Sequence, residues 1–178
     1  MDSFKSKLLR QLKAKCSEIS EEFSEVDGLF NQAVPLFCAA VDLYCKENSI
    51  ENPLNQINEE EKEDQTRVVT DNIKSVYRKI AIQTHPDKGI KEDHKVDLYK
   101  DASKAKKNNE TDKLISIAKD LKIDISDLNY SDIRSIELSI SETEQKITKM
   151  RSSYPWVWFF STVKKRQDII SRFVLNKV

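Results

Sequence analysis

The chain has 178 residues, 30 of them basic and 30 acidic, so its formal net charge is zero. This length suits one domain or two small ones, and the balanced charge argues against a protein that coats nucleic acid or membrane with its whole surface. The chain contains only two glycines, whereas dinucleotide-binding fingerprints and phosphate-binding loops need several at close spacing. Nucleotide enzymes of those kinds are therefore excluded.

The cysteine and histidine content gives no sign of a metal site. Three cysteines and two histidines occur, without paired ligand spacing, so we expect neither zinc nor another metal, and no cofactor. Cys38 and Cys45 lie seven residues apart, and we interpret them as reduced, buried thiols on one face of a helix.

The start of the chain carries scattered charge instead of the apolar core of a signal peptide. No stretch approaches the run of about 18 consecutive apolar residues that is typical of a membrane span. We therefore expect a soluble, cytoplasmic protein without a membrane partner.

Apolar residues recur at helical spacing along nearly the whole chain, and strand-like alternation is scarce. The first predicted helix ends near Gly28, because glycine permits a left-handed cap. The second covers residues 29–44, with a kink or a fresh start at Pro35, which has no N–H to donate. The polar residues 46–64 predict a linker with about one helical turn. These patterns predict an all-α fold.

A third helix is predicted from about residue 66 to 84, with Thr70 and Asp71 as cap residues inside it. Two shorter helices follow, separated by Asn108-Asn109. The apolar stripe of the third helix consists of Val69, Ile73, Val76 and Ile80.

From Ile133 onward, apolar residues alternate at spacings of three and four, the pattern of a coiled-coil or helical-hairpin arm. This seam could close within the chain or pair two chains into a homo-oligomer. Pro155 suits the first turn of a final helix that we expect to reach about Asn176. The seam consists of Ile133, Ile136, Ile140, Thr143, Ile147, Met150, Tyr154 and Val157. We divide the chain into an N-terminal helical region (1–58), a central region (59–125) and a C-terminal arm (126–178).

The segment from Val76 to Lys88 stands apart from the rest of the chain. It contains Tyr77-Arg78-Lys79, then Ala81, then His85-Pro86-Asp87-Lys88. A lone histidine-proline-aspartate tripeptide arises often by chance, but here a tyrosine and two basic residues precede it on an amphipathic helix. The segment resembles the second helix and the following loop of the J domain, the module named for the DnaJ co-chaperones.

The resemblance implies a specific partner and a specific activity. J domains dock on DnaK-class chaperone ATPases and stimulate their ATP hydrolysis, while the ATP is bound by the chaperone. The tripeptide would lie in the loop between two antiparallel helices and activate the chaperone. The implied chaperone-binding residues are His85, Pro86 and Asp87 of the loop with the adjacent Lys88, and Lys74, Tyr77, Arg78 and Lys79 of the docking helix.

The residues themselves are consistent with such a surface. Lys74, Arg78 and His85 share one helix face by their spacing, and Pro86 ends the helix. Residues 74–107 contain ten basic and five acidic side chains, a local charge of +5. Residues 59–64, directly ahead of this segment, carry a local charge of −4. The central region therefore predicts a salt-sensitive association with an acidic partner.

Other interpretations of the same residues remain open. His85 and Asp87 could simply fix a turn. A metal site with His94 would need Asp93 and Asp97 to converge on it. The basic segment could bind nucleic acid, but it contains only two tyrosines that could stack on bases. No nucleophile is placed to use a His–Asp couple, so we do not expect an enzyme.

The resemblance covers only residues 66–107, and it departs from the family pattern on both sides. The usual first helix is not visible directly upstream, where residues 30–44 are the nearest segment able to replace it. The helix after the tripeptide lacks the usual phenylalanine and the glutamate-alanine-tyrosine run, and Leu98, Tyr99 and Ala102 are the nearest equivalents. Neither a glycine-phenylalanine linker nor a cysteine-rich module occurs.

The C-terminal region contains the most apolar run, with five aromatic residues between positions 154 and 160. A helix cannot bury all of them on one side. They indicate either an arm tip folded back on the protein or a patch that binds a client or an assembly partner. The residues are Tyr154, Trp156, Trp158, Phe159 and Phe160. The alternative to a co-chaperone is accordingly a structural or assembly protein of a virus or phage, located in the virion, which uses a J-like fold for docking without chaperone activity.

Overall fold

The computed structural model describes residues 3–56, 70–86 and 93–176. Throughout these ranges the regular secondary structure is helical, which confirms the predicted all-α class. The acidic run 59–64 and the loop residues Asp87 and Lys88 lie outside the described residues. The helices are α1 (Ser3–Asn48), α2 (Asp71–Thr84), α3 (Asp93–Lys107), α4 (Thr111–Asp120), α5 (Tyr130–Ser152), α6 (Tyr154–Phe159) and α7 (Val163–Leu175), with a 3₁₀ turn at Pro53–Gln56.

The N-terminal helix α1 runs without interruption for 46 residues, so the predicted ending at Gly28 is wrong. Pro35 also lies inside it. Relative to alanine, glycine in a helix interior costs about 1 kcal/mol of helix stability, and proline costs about 3 kcal/mol. Burial of Val26, Ala33 and Phe37 on one side of α1 offsets this cost. By length and composition alone α1 is also apolar enough to cross a membrane, which is weak evidence because core helices meet the same criterion.

The chain divides into two compact units. The motif unit combines Met1–Glu22 with Gln65–Glu144, and the aromatic unit combines Phe23–Asp64 with Gln145–Val178. These boundaries differ from the three consecutive regions inferred from the sequence, because α1 and α5 each contribute to both units. Residues 30–44, the segment that could have replaced the usual first helix, belong to the aromatic unit. The upstream helical segment that shares a unit with α2 and α3 is instead the first part of α1.

The motif unit has a buried core to which each of its helices contributes, and α4 is buried along most of its length. Its α2 begins with Thr70 as the N-cap, whose Oγ1 accepts a hydrogen bond from the backbone N of Ile73 at 3.3 Å. This confirms a cap at Thr70. The break between α3 and α4 falls at the predicted Asn108-Asn109 pair, where Asn109 has a φ of 58°. Buried apolar residues of this unit include Leu12, Cys16, Ile19, Ile73, Val76, Ile80, Ala102, Leu114, Ile115, Leu128, Ile136 and Ile140.

The aromatic unit has a core built from α1, α6 and α7. Phe37 lies at its centre, with edge-to-face contacts to Trp158 at 5.9 Å and to Phe173 at 5.2 Å between ring centroids. Aromatic pairs in this arrangement stabilise a core beyond the burial of their area. The cluster consists of Phe37, Val41, Cys45, Trp158, Ile170, Phe173 and Val174.

The predicted seam is only partly right. Ile133, Ile136, Ile140 and Ile147 are buried within the chain, but α5 ends at Ser152. The last two seam positions therefore lie in another helix, where their side chains are exposed. Burial of the four isoleucines inside one chain leaves this part of the seam unavailable to a second copy.

The predicted single final helix is wrong as well, because α6 and α7 are separate. Pro155 lies in the first turn of α6, as expected. The Arg166 side chain donates from Nε to the carbonyl of Trp158 at 3.1 Å and from Nη2 to that of Phe159 at 2.7 Å. Carbonyls at a helix end have no partner inside the helix, and the Trp158 carbonyl also accepts from the backbone N of Ser161 at 3.1 Å. The arginine thus stabilises the turn that separates the two helices.

Candidate partner-binding surface

Helices α2 and α3 form an antiparallel pair. The Tyr77 hydroxyl lies 3.2 Å from Oγ of Ser103. Further along α2, the His85 ring contacts the Tyr99 ring with centroids 4.6 Å apart. From Tyr77 to His85 the residue number rises, while the contacted residue on α3 falls from Ser103 to Tyr99. The two helices therefore run in opposite directions and lie antiparallel within the motif unit.

The buried side of α2 contains three of the four residues of the predicted stripe, and the fourth, Val69, lies outside the described residues. Ile73, Val76 and Ile80 are buried, together with Thr84 at the end of the helix. The Thr84 hydroxyl donates to the carbonyl of Ile80 at 2.9 Å, so its burial leaves no unpaired group. With this face packed inward, the opposite face of α2 is left at the surface.

The exposed face of α2 carries Lys74, Arg78 and Ile82, spaced four residues apart. We call these three residues the α2 stripe. Lys74 forms an ion pair with Asp71 at 3.0 Å, but such exposed pairs contribute little and break easily. Ile82 is 59% exposed, and it is not among the chaperone-binding residues that the resemblance implies. Its position four residues after Arg78 is the signal that could have identified it.

His85 is held at the end of α2. Its backbone is extended, with φ −66° and ψ 128°, and its N–H donates to the carbonyl of Ala81 at 2.9 Å. The ring is half-buried against Tyr99, and Pro86 follows directly and is exposed. The imidazole therefore has a fixed location beside the α2 stripe, whereas Asp87 and Lys88 lie in the part of the chain that is not described.

Tyr77 contacts α3 and does not belong to the open stripe. Besides the Ser103 contact, its ring has the Lys106 ammonium at 4.4 Å from the centroid, a cation–π arrangement. The resemblance had assigned Tyr77 to the docking surface. In the structure, these contacts of Tyr77 attach α2 to α3.

Lys79 is also engaged inside the motif unit. Its Nζ donates to the carbonyl of Asp124 at 3.2 Å and pairs with Oδ2 of Asp127 at 3.2 Å. Both acceptors lie in the loop between α4 and α5. Lys79 therefore faces this loop, away from Lys74 and Arg78.

Two further lysines, both from α1, hold the same loop. Lys5 donates to the carbonyl of Ser126 at 3.1 Å, and Lys13 to that of Ile123 at 2.7 Å. Burial lowers the pKa of Lys13. Hydrogen bonds from Ser126 to the Asp124 carboxylate lower the pKa of that acid. Sequence reasoning missed this arrangement, because backbone carbonyl acceptors have no side-chain signature.

The other residues that the sequence suggested, as metal ligands or as an aromatic partner patch, do not form a single site. Among the residues that the structure describes, no three His, Cys, Asp or Glu side chains are grouped so that they could hold a metal ion. The aromatic run is split: Trp158 is buried in the core, and Phe159 packs against it. Tyr154 and Phe160 are exposed, and Trp156 is half-buried with its ring 4.8 Å from that of Phe160.

In comparisons with known proteins, no family model matches the chain, and neither a curated protein nor a solved structure is significantly similar to it. Any assignment of function therefore depends on the residues of the chain itself.

Proposed function

We propose that this protein is a J-domain co-chaperone that docks on a DnaK-class chaperone ATPase and stimulates its ATP hydrolysis. The observation that carries the proposal is the antiparallel α2–α3 pair, in which an exposed basic stripe leads to a histidine held at the helix end. The resemblance of residues 76–88 to the J domain supplies the class of the partner.

The chemistry of the stripe suits an acidic, partly apolar surface. Lys74 and Arg78 offer two cations, and Ile82 adds an apolar contact next to them. Charged contacts of this kind raise the rate of association and make it depend on ionic strength. We therefore expect binding to weaken as salt is added.

The contacts divide the implied chaperone-binding residues into two groups. Lys74, Arg78, His85 and Pro86 are proposed to touch the chaperone, with Ile82 added to them. Tyr77 and Lys79 are proposed to act as positioning residues, because their polar ends are bonded within the motif unit. Asp87 and Lys88 remain assigned by the resemblance alone.

A single-turnover ATPase assay of the DnaK-class chaperone tests the proposal. The wild-type chain should raise the hydrolysis rate, and His85→Gln should abolish the increase. Arg78→Ala should raise the concentration needed for half-maximal stimulation severalfold. Arg134→Ala changes another exposed arginine of the motif unit and serves as the matched control. Absence of stimulation by the wild type, or stimulation that survives His85→Gln, would remove the proposal.

The alternative, a structural or assembly protein of a virus or phage, is favoured by a different surface. Leu29, Leu36 and Leu43 are exposed on α1 at intervals of seven residues, a spacing that suits pairing with another helix. The two functions predict different behaviour on isolation from the source. Stoichiometric incorporation in a large particle supports the alternative, and nucleotide-dependent capture of a chaperone in the cytoplasm supports the co-chaperone.

A further inference from the structure

The turn between α6 and α7 presents apolar side chains to solvent. Val163 is 78% exposed, Phe160 58% and Val157 44%. These three residues follow one another at intervals of three positions on either side of the turn. We call them, with the following Lys164 and Lys165, the α6–α7 corner. An exposed apolar group of this kind is typical of an interaction site.

The backbone beneath the corner is held in place. Arg166 donates two hydrogen bonds to the last carbonyls of α6, and its guanidinium lies 4.7 Å from the ring centroid of Trp158. Phe160 in turn contacts the rings of Trp156 and Phe159, with centroids 4.8 and 5.2 Å away. The apolar side chains therefore point outward from a backbone that is already ordered. Binding would cost little further conformational entropy there.

The segment of the chain that forms the corner is rich in basic residues. Residues 145–176 contain seven basic side chains and one acidic side chain, a local charge of +6. Lys165 and Arg172 lie seven residues apart on the outer face of α7. The basic residues that are exposed are Lys146, Lys149, Arg151, Lys164, Lys165 and Arg172. An anionic partner is the one that this charge favours.

We propose that the α6–α7 corner binds an anionic lipid surface. Phe160 and Val163 would enter the boundary between headgroups and acyl chains, and Lys164 and Lys165 would lie among the anionic headgroups. The corner would rest on the lipid surface without spanning it. The proposal is independent of the co-chaperone function, and it departs from the expectation of no membrane partner, which considered spanning segments and the net charge of the whole chain.

The side chains favour lipid over the other anionic partners. A surface for single-stranded nucleic acid uses aromatic rings on which bases stack, whereas Val157 and Val163 have no ring to offer. A protein hot spot inserts its anchors into a pocket of the partner, so a protein would have to supply a cavity for both Phe160 and Val163. A bilayer accepts apolar side chains of any shape, which suits this mixed set.

Vesicle flotation of the full chain tests the proposal. Phosphatidylcholine vesicles with about 30% phosphatidylserine should bind the protein, and vesicles of phosphatidylcholine alone should not. The double variants Phe160→Ser/Val163→Ser and Lys164→Glu/Lys165→Glu should each bind at least about tenfold more weakly. Leu138→Ser and Lys119→Glu/Lys122→Glu change equally exposed residues in the motif unit and should bind like the wild type.

Tryptophan fluorescence gives a second, local measurement. Both tryptophans of the chain lie in α6, so Trp158→Phe leaves Trp156, next to Phe160, as the sole reporter. Its emission should shift to shorter wavelength with anionic vesicles and stay constant with neutral ones. Circular dichroism of each variant shows whether it is folded, and all substituted residues except Trp158 are exposed.

Several results would overturn the proposal. Failure of the wild type to bind anionic vesicles would do so, as would equal binding to neutral ones. Equal losses in the motif-unit controls would assign the binding to charge or exposure in general. Binding of a labelled single-stranded oligonucleotide, lost in Lys164→Glu/Lys165→Glu, with no vesicle binding, would identify a nucleic-acid surface instead.

Discussion

The Thr70 hydroxyl donates a 2.6 Å hydrogen bond to Oδ1 of Asp132, joining the start of α2 to the first turn of α5 across 62 residues of sequence. Asp132 is fully buried. It also accepts from the Asn72 side chain at 2.8 Å and from the backbone N of Asn129 at 2.7 Å. One carboxylate therefore orients the helix that carries the α2 stripe.

Replacing this carboxylate should destabilise the motif unit. Asp132→Ala leaves three partly buried donors without this acceptor, and we expect the free energy of unfolding to fall by about 2–4 kcal/mol. Urea unfolding followed by circular dichroism measures the change. Asp120→Ala removes an exposed carboxylate, and it should change the value by less than about 0.5 kcal/mol. Similar losses in both variants would show that burial of Asp132 does not matter.

The glycine inside α1 should be replaceable with a gain in stability. Gly28 lies in a helix interior, and a β-carbon added there would meet no atom within 4 Å. Alanine restricts the unfolded chain and favours the helix, so Gly28→Ala should raise the free energy of unfolding by about 0.5–1 kcal/mol. Thermal unfolding followed by circular dichroism tests this. A lower midpoint would mean that α1 needs glycine at this position.

The core of the aromatic unit should depend on Phe37 much more than on its neighbour. Phe37 is buried between Trp158 and Phe173, so Phe37→Ala should cost about 3–5 kcal/mol. Leu36 is exposed in the same helix, and Leu36→Ala is the matched control with an expected effect below about 0.5 kcal/mol. Tryptophan fluorescence during urea unfolding reports on this unit directly. Comparable effects at both positions would contradict the assignment of the core.

The Cys16 thiol should be unreactive in the folded protein. Burial, with the nearby Asp112 carboxylate second, raises the pKa of the Cys16 thiol from 9.0 to about 12. The thiolate is the reactive form, so a Cys38→Ser/Cys45→Ser variant should resist a disulfide reagent at pH 8 until urea is added. Because the folded pKa is the higher one, Cys16 favours the folded state below pH 9, and this contribution declines as the pH rises toward 12. Rapid labelling of the folded variant would contradict the burial of Cys16.

The contact between His85 and Tyr99 should be visible in solution. The chain has two histidines, so proton NMR gives two sets of imidazole signals, and His94→Asn assigns them. The ring current of Tyr99 should displace the His85 signals from free-histidine values, and Tyr99→Leu should return them toward those values. Tyr99→Phe keeps a ring in place and is the control. If the His85 signals do not move in Tyr99→Leu, the two rings do not pack together in solution.

Local patterns determined much of the architecture. The helical period identified the all-α class and the buried residues of α2, because every turn of an amphipathic helix repeats the same constraint. Thr70 was recognisable as a cap because its hydroxyl serves the backbone of its own helix. The tripeptide and its preceding helix were recognised from contiguous residues, so the docking hypothesis needed no tertiary information.

Long-range contacts decided what those patterns left open. Gly28 and Pro35 predicted a break that packing of the apolar face of α1 overrides, while Arg166 stabilises a break between α6 and α7 that the helical spacing of the apolar residues did not predict. Lys79 matched the docking motif by position, yet its ammonium bonds to a loop 45 and 48 residues away. By itself the sequence determined which residues favour helices and which segment carries the motif. Only the tertiary structure decided which cations of the motif bond to residues far along the chain, because those neighbours depend on how the helices and loops pack.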